Sequence, residues 1–179
     1  MSQYTMMVDL ERCIGCKSCE AACKLENGIP MGRYRTKVIW VAPQKGSRLY
    51  FVSMPCMHCA KPACKASCPV GAISKRQEDG VVLIDKERCI GCRYCAWACP
   101  YGAMGFDEDR MVADKCTYCA HRLARGEQPS CVTKCPGRAL TFGRAEELFA
   151  KARSEGRWCK DIDTFGTGPS TSYLERLKK

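Results

Sequence analysis

The sequence predicts an α+β fold of short strands, short helices and long loops, organised as two tandem modules. Three observations lead there. Seventeen of the 179 residues are cysteine, far above ordinary usage, and sixteen of them fall into four similarly built groups. Short runs rich in Val, Ile, Tyr and Phe lie between the groups, bounded by Gly, Pro or charge as strands are. A single later segment carries a helical period.

The cysteine groups come first because internal repetition decides the fold. The first is Cys13, Cys16, Cys19 and Cys23 in CIGCKSCEAAC, and the third is Cys89, Cys92, Cys95 and Cys99 in CIGCRYCAWACP. Both read C-x2-C-x2-C-x3-C, the spacing of bacterial ferredoxins, in which the fourth cysteine ligates the other cluster of a pair. The second group, Cys56, Cys59, Cys64 and Cys68 in CMHCAKPACKASCP, keeps the same beginning and end with a different gap. So does the fourth, Cys116, Cys119, Cys131 and Cys135 in CTYCAHRLARGEQPSCVTKCP. A short loop with this spacing wraps three sulfurs around one face of a cubane, and the helix that follows aims the last sulfur at a neighbouring site. Pro69, Pro100 and Pro136 directly follow the last cysteine of three groups, where each ends the helix; the first group has Lys24 instead. Zinc also binds C-x2-C pairs, but it explains neither the third cysteine at a second x2 step nor a chain with two histidines. The prediction is therefore two ferredoxin-like double-cluster modules holding four 4Fe-4S clusters, ligated only by cysteine.

The connecting elements follow in order. Strands are expected at Tyr4 to Leu10, Lys37 to Ala42, Leu49 to Met54, Val81 to Asp85 and Ala139 to Phe142. From Ala145 to Ser154 the apolar residues Ala145, Leu148, Phe149 and Ala152 recur at i, i+3, i+4 and i+7, and Gly156 follows as a stop, which predicts a helix. The stretch Asp161 to Lys179, DIDTFGTGPSTSYLERLKK, reads as a polar arm ending in a short helix-like piece and suited to packing on a partner. Most of the rest reads as loop. Few large aliphatic residues remain beyond the cysteines, so the clusters are expected to stand in for a core and folding to depend on them.

Composition removes several functions. A secreted disulfide scaffold is usually shorter and lacks one repeated tight spacing. The formal charge of +10 suggests a polyanion partner, but four clusters with their thiolates carry roughly −8 and leave about +2. No basic run is present, and nucleic acid is not an expected partner. Met1 to Glu11 carries Asp9 and Glu11 with no apolar run or twin arginine, and no window is apolar enough to span a membrane, so no signal or transmembrane segment is expected. C-x-x-C-H, the haem attachment motif, does not occur, and Gly166 and Gly168 lack the lysine and helix of a phosphate loop. With all sixteen motif cysteines used as ligands, no nucleophile or open metal position is left for catalysis, and the chain reads as a non-catalytic subunit. Cys159 is left over and reads as an ordinary packed thiol. His58 and His121 lie inside cysteine loops as loop histidines that could donate to cluster sulfurs, while Tyr94, Trp97 and Tyr118 stand beside ligands as shields against water.

The four groups in this order, CIGCRYC followed by ACPYGA, the run KCTYCAHRLARGEQPSCVTKCP, and RALTFG before the helix resemble the four-cluster iron-sulfur subunit of the dimethyl sulfoxide reductase family of molybdenum and tungsten enzymes. The resemblance runs from Tyr4 to Ser154 and more loosely to the end. It implies that the first and fourth groups form one module and the second and third the other, so that 1–143 holds two interleaved modules, about 1–40 plus 110–143 and about 45–109, before a helix and extended arm at 144–179. It implies cluster one at Cys13, Cys16, Cys19 and Cys135, and cluster two at Cys23, Cys116, Cys119 and Cys131. Cluster three then uses Cys56, Cys59, Cys64 and Cys99, and cluster four Cys68, Cys89, Cys92 and Cys95. Some relatives have tryptophan where this chain has Cys92, and hold a 3Fe-4S cluster; here four full cubanes are implied. The implied partners are a large pterin-bearing catalytic subunit, next to cluster one, and a quinone-linked membrane anchor or another carrier, next to cluster four. A stand-alone polyferredoxin, a maturation ferredoxin and the small subunit of a tungsten aldehyde oxidoreductase are the alternatives. Residence in the cytoplasm, also at the membrane surface, and export with a signal-bearing partner both stay open, as do the substrate and the direction of electron flow.

Overall fold

The computed structural model describes residues 3–42 and 49–176. The module boundary drawn at 45 and the last three residues of the arm, 177–179, lie outside them. Four strands make the largest sheet: β1 (Tyr4–Asp9), β8 (Leu140–Arg144), β9 (Arg157–Lys160) and β10 (Thr171–Arg176), in the order β8-β1-β10-β9. β1 is antiparallel to β8 and parallel to β10. Five of its six residues are buried, which is why Met6, Met7 and Val8 run on without alternating. Three antiparallel hairpins stand apart: β2 (Lys37–Val41) with β3 (Tyr50–Met54), β4 (Ile73–Lys75) with β5 (Val82–Ile84), and β6 (Met104–Asp107) with β7 (Val112–Lys115). The fold is thus mixed helix and strand with small sheets.

Six helices complete the described residues. α1 (Ser18–Asn27) runs through Cys23, because no proline follows it, and stops at Gly28 in the left-handed conformation. α2 (Ala63–Ala66), α3 (Tyr94–Ala98) and α5 (Ser130–Thr133) are cut short ahead of Pro69, Pro100 and Pro136, as the sequence implied. α4 (Ala120–Leu123) lies within the long gap of the fourth group. α6 (Ala145–Ser154) matches the expected helix, with Glu146 and Glu147 in its first turn and Lys151 and Arg153 in its last, each sign favoured by the helix dipole. Its Ala152 is buried against Met7 and Leu174, with Leu148, Phe149 and Cys159 packed around them.

Two expectations need correction. The core is not made of clusters alone: Met6, Val8, Leu10, Met57, Val81, Tyr118, Leu140, Phe142 and Tyr173 form one apolar cluster with Cys19, Cys56 and Cys116 set into its edge. Burying each large side chain is worth about 1.5–3 kcal/mol, so the sheet contributes a core of its own. The arm does not end in a helical piece within the described residues either. Asp163 accepts the backbone N–H groups of Thr167 and Gly168 at 2.8 and 3.0 Å, and the turned chain then accepts from Ala60 and Lys61. Beyond it β10 enters the sheet between β1 and β9, so the arm packs on its own chain. Burial of Thr171 and Ser172 on β1 decides the conformation against the helix-like pattern of the sequence.

Candidate metal centres

On α1, Cys19 and Cys23 stand about one turn apart, about 5.4 Å along the axis, and face two different cavities. Cys19 on α1, with Cys13, Cys16 and Cys135, lines one cavity. Cys23, four residues on along α1, lines another with Cys116, Cys119 and Cys131. The fourth group makes the reverse connection, with Cys131 on α5 in the second cavity and Cys135, just beyond the helix, in the first. Cys56, Cys59, Cys64 and Cys99 line a third cavity. Around Cys95, which is buried beside Ile73 and Val82, pack Cys68 and Cys89, and the thiols of Cys89, Cys92 and Cys68 all add to the burial that raises the Cys95 thiol. Three cavities are thus each walled by four thiols, while Cys64, Cys68 and Cys89 pack in the apolar cluster around Cys95. Four thiols around one hollow, met three times over, suit one kind of bound group.

The loops are built alike. In the first C-x2-C of each group the residue before the second cysteine has positive φ: Gly15 at 71°, His58 at 42°, Gly91 at 70° and Tyr118 at 52°. Glycine adopts this freely, whereas His58 and Tyr118 adopt it under strain and stack their rings at 3.7 Å between centroids. Backbone N–H groups are aimed at sulfur: Ala72 to Cys68 at 3.2 Å, Ala139 to Cys135 at 3.3 Å, Ala113 to Cys89 at 3.4 Å and Tyr118 to Cys116 at 3.5 Å. Such donors favour ionised sulfur and tune a cluster's potential.

Electrostatics tests the fit. Burial pushes the thiols of Cys23 and Cys64 up to about 12 and that of Cys116 up to about 11, and neighbouring thiols add to each. Cys131 is pushed well above its ordinary value for the same reason. Four thiolates cannot share such a site unless a cationic core binds them all, which is what a 4Fe-4S core does. The residues fit the group.

The side chains singled out beside the ligands divide. His58 is fully buried, and burial with the Lys115 and Lys75 charges holds it well below its ordinary range. Its Nδ1 accepts the Val82 N–H at 2.9 Å, so the ring proton sits on Nε2, buried with no partner among the described residues. His121 turns away to Glu26 at 2.7 Å. Tyr118 is a shield, 1 % exposed. Tyr94 and Trp97, expected to exclude water, instead stack on each other at the surface, with Trp97 81 % exposed. The sequence reading missed Thr167 and Lys115. Thr167 lines the third cavity and hydrogen-bonds Tyr101 Oη at 2.7 Å, a placement that only the folded arm reveals. Lys115 was legible in principle as the lysine abutting Cys116 in a strand-like segment.

Comparison with known proteins agrees. One family model described as a 4Fe-4S dicluster domain matches residues 47–145, and a second so described matches 12–72. The thiosulfate reductase electron transfer subunit PhsB of Salmonella typhi is 46 % identical over 151 residues, covering 82 % of this chain and 78 % of that protein. A subunit of the tetrathionate reductase of Salmonella typhimurium is 46 % identical over 181 residues, 96 % of this chain and 72 % of that one. A subunit of the anaerobic dimethyl sulfoxide reductase of Escherichia coli K12 is 42 % identical over 163 residues, 84 % and 78 % respectively. Two dicluster domains account for four 4Fe-4S clusters. On this likeness, and on the repeated thiol sets that underlie it, the chain belongs to the non-catalytic iron-sulfur electron-transfer subunits of the dimethyl sulfoxide reductase family of molybdenum enzymes.

Proposed function

We propose that this subunit relays electrons along a line of four clusters between a molybdenum- or tungsten-pterin catalytic subunit and a second redox partner, a quinone-linked membrane anchor or another carrier. Cluster one takes Cys13, Cys16, Cys19 and Cys135; cluster two Cys23, Cys116, Cys119 and Cys131; cluster three Cys56, Cys59, Cys64 and Cys99; cluster four Cys68, Cys89, Cys92 and Cys95. The first and fourth groups make one module and the second and third the other. Three four-thiol cavities and the packing around Cys95 support these sets.

The single observation that carries the order is exposure. Of the seventeen cysteines only Cys16 and Cys92 are exposed, one in the first set and one in the fourth. Exposed Ile14 and Trp40 stand near the first, and exposed Ile90, Tyr94 and Trp97 near the fourth, apolar surfaces of the kind that partners cover. The inner sets are closed off by the chain itself: Tyr118 lines one and His58 the other. Clusters held by these thiols would supply one-electron chemistry; Tyr118 and His58 close off the inner two sets, while Cys16 and Cys92 leave the outer two accessible. Among the described residues no helix is long and apolar enough to cross a membrane.

Replacement of Cys92 by serine tests the order. In an intact complex with the other clusters loaded, turnover with the physiological redox partner slows while activity with an artificial donor to the catalytic subunit survives. Equal loss of both activities would show that the order is wrong.

A further inference from the structure

Lys115 ends β7, directly before Cys116, and is 2 % exposed. A buried ammonium usually meets a carboxylate, yet this one donates only to two carbonyls, those of Val82 and of Cys116, the latter at 2.9 Å. No carboxylate is among its partners within the described residues. An uncompensated buried charge costs several kcal/mol, so an anion must lie near it. The two carbonyls say where. Val82 lines the cavity of Cys56, Cys59, Cys64 and Cys99, and Cys116 lines that of Cys23, Cys119 and Cys131. The ammonium thus sits in the wall between the two inner cavities. The same wall holds the His58–Tyr118 stack, His58 on one side and Tyr118 on the other, and the Val82 peptide joins them by giving its N–H to His58 and its carbonyl to Lys115.

We propose that Lys115 is a positioning charge that sets the reduction potential of clusters two and three together, and with it the electron step between the two modules. A fixed positive charge in a dry wall stabilises the more negative, reduced form of whatever cluster lies on either side, because net charge and burial are the levers on cluster potential. One electron enters from an external one-electron donor and resides on a cluster; Lys115 neither gains an electron nor moves a proton. The inference rests on the ligand sets above, and it is separable from them.

The test is a redox titration of the fully loaded chain with dithionite, followed by electron paramagnetic resonance. Signals are assigned through single cysteine-to-serine variants of each set. Lys115→Met keeps an unbranched stem and removes the charge. It lowers the two inner midpoint potentials by about 59 mV, a tenfold shift in the reduced-to-oxidised ratio of a one-electron couple, and leaves the outer two in place. Lys115→Arg keeps the wild-type values. Unchanged inner potentials in Lys115→Met, or an equal shift at all four clusters, overturn the proposal. If Lys115→Met fails to load, Lys115→Gln, which keeps a donor for the two carbonyls, is read in the same way. Should Met and Gln both lose iron, Lys115 is needed to build the sites rather than to set their potentials, and the proposal falls. A wrong ligand assignment shows elsewhere, as Cys119→Ser abolishing an outer signal whatever occupies 115.

Discussion

Gly91 lies in the third cysteine loop at φ 70°, and a Cβ built there comes within 2.3 Å of the Met111 carbonyl oxygen and 3.4 Å of the Phe106 ring. Met111 belongs to the turn between β6 and β7, so its carbonyl is backbone and cannot rotate aside like a side chain. Gly91→Ala therefore meets two costs. A left-handed residue with a Cβ costs about 1–2 kcal/mol. Forcing extra volume into a packed site costs about 1–3 kcal/mol more. The sum, about 2–5 kcal/mol, falls on the loop that carries Cys89 and Cys92. Gly126 offers the control, since its φ is 73° and its Cβ would meet nothing within 4 Å. Gly126→Ala should lose only the backbone part, about 1–2 kcal/mol. The assay is iron per chain after anaerobic loading, with thermal loss of cluster absorbance read alongside. Gly126→Ala keeps roughly sixteen irons, while Gly91→Ala falls toward twelve and bleaches at lower temperature. Equal iron and equal bleaching in the two variants would refute the reasoning, because it would mean that the contact with Met111 relaxes at no cost.

Two further predictions concern the apolar core and the spare thiol. Phe142→Ala removes a buried ring that packs on Tyr4 and Tyr118 at 5.0 Å, and should lower stability by about 3–5 kcal/mol with the cluster ligands untouched, measured by denaturant unfolding of the loaded chain. A change below about 1 kcal/mol would return the core to the clusters alone. With sixteen thiols bound, Cys159 is the one left for alkylation; burial raises its thiol, so at pH 8 iodoacetamide should label one site per chain more slowly than a free cysteine. The thiolate is the reactive form, so a raised value means the rate climbs as pH rises; a rate that is flat from pH 7 to 9 would contradict the burial.

The cysteine framework was legible because ligand geometry is written in short spacings: C-x2-C and C-x3-C fix local loops and helix turns whatever surrounds them. The same holds for α6, where four apolar residues mark one face, and for the helices cut short before Pro69, Pro100 and Pro136. β4, β6, β7 and β9, three or four residues each, escaped because so short a run has no readable period, while the equally short β5 was readable from the unbroken run Val81 to Ile84. β10 escaped for a different reason. SYLER favours a helix locally, and pairing with β1, more than 160 residues away, overrides it. Thr167 was invisible as a site residue because the cavity and hydroxyl it meets are assembled from distant segments, and for Lys115 only its place beside Cys116 could be read, not its Val82 partner. Trp97 was misread from its neighbourhood: adjacency to Cys95 and Cys99 says which residues are near a cluster in sequence, not which way a ring turns.

The parallel pairing of β1 with β10 has a bearing on how the subunit is made. Ribosomes extend chains at about 5–20 residues per second, so β1 emerges and then waits roughly 10–30 s for the strand that lies beside it. Every motif cysteine is translated in that interval, before β10 exists. Residues Tyr4 to Asp9 have β8 for a neighbour only after Leu140 has been added, and their other edge stays open still longer. The last strand to be made, Thr171 to Arg176, is therefore also the one that joins the sheet to the Cys56–Cys59 loop, through Ser170 and Thr171.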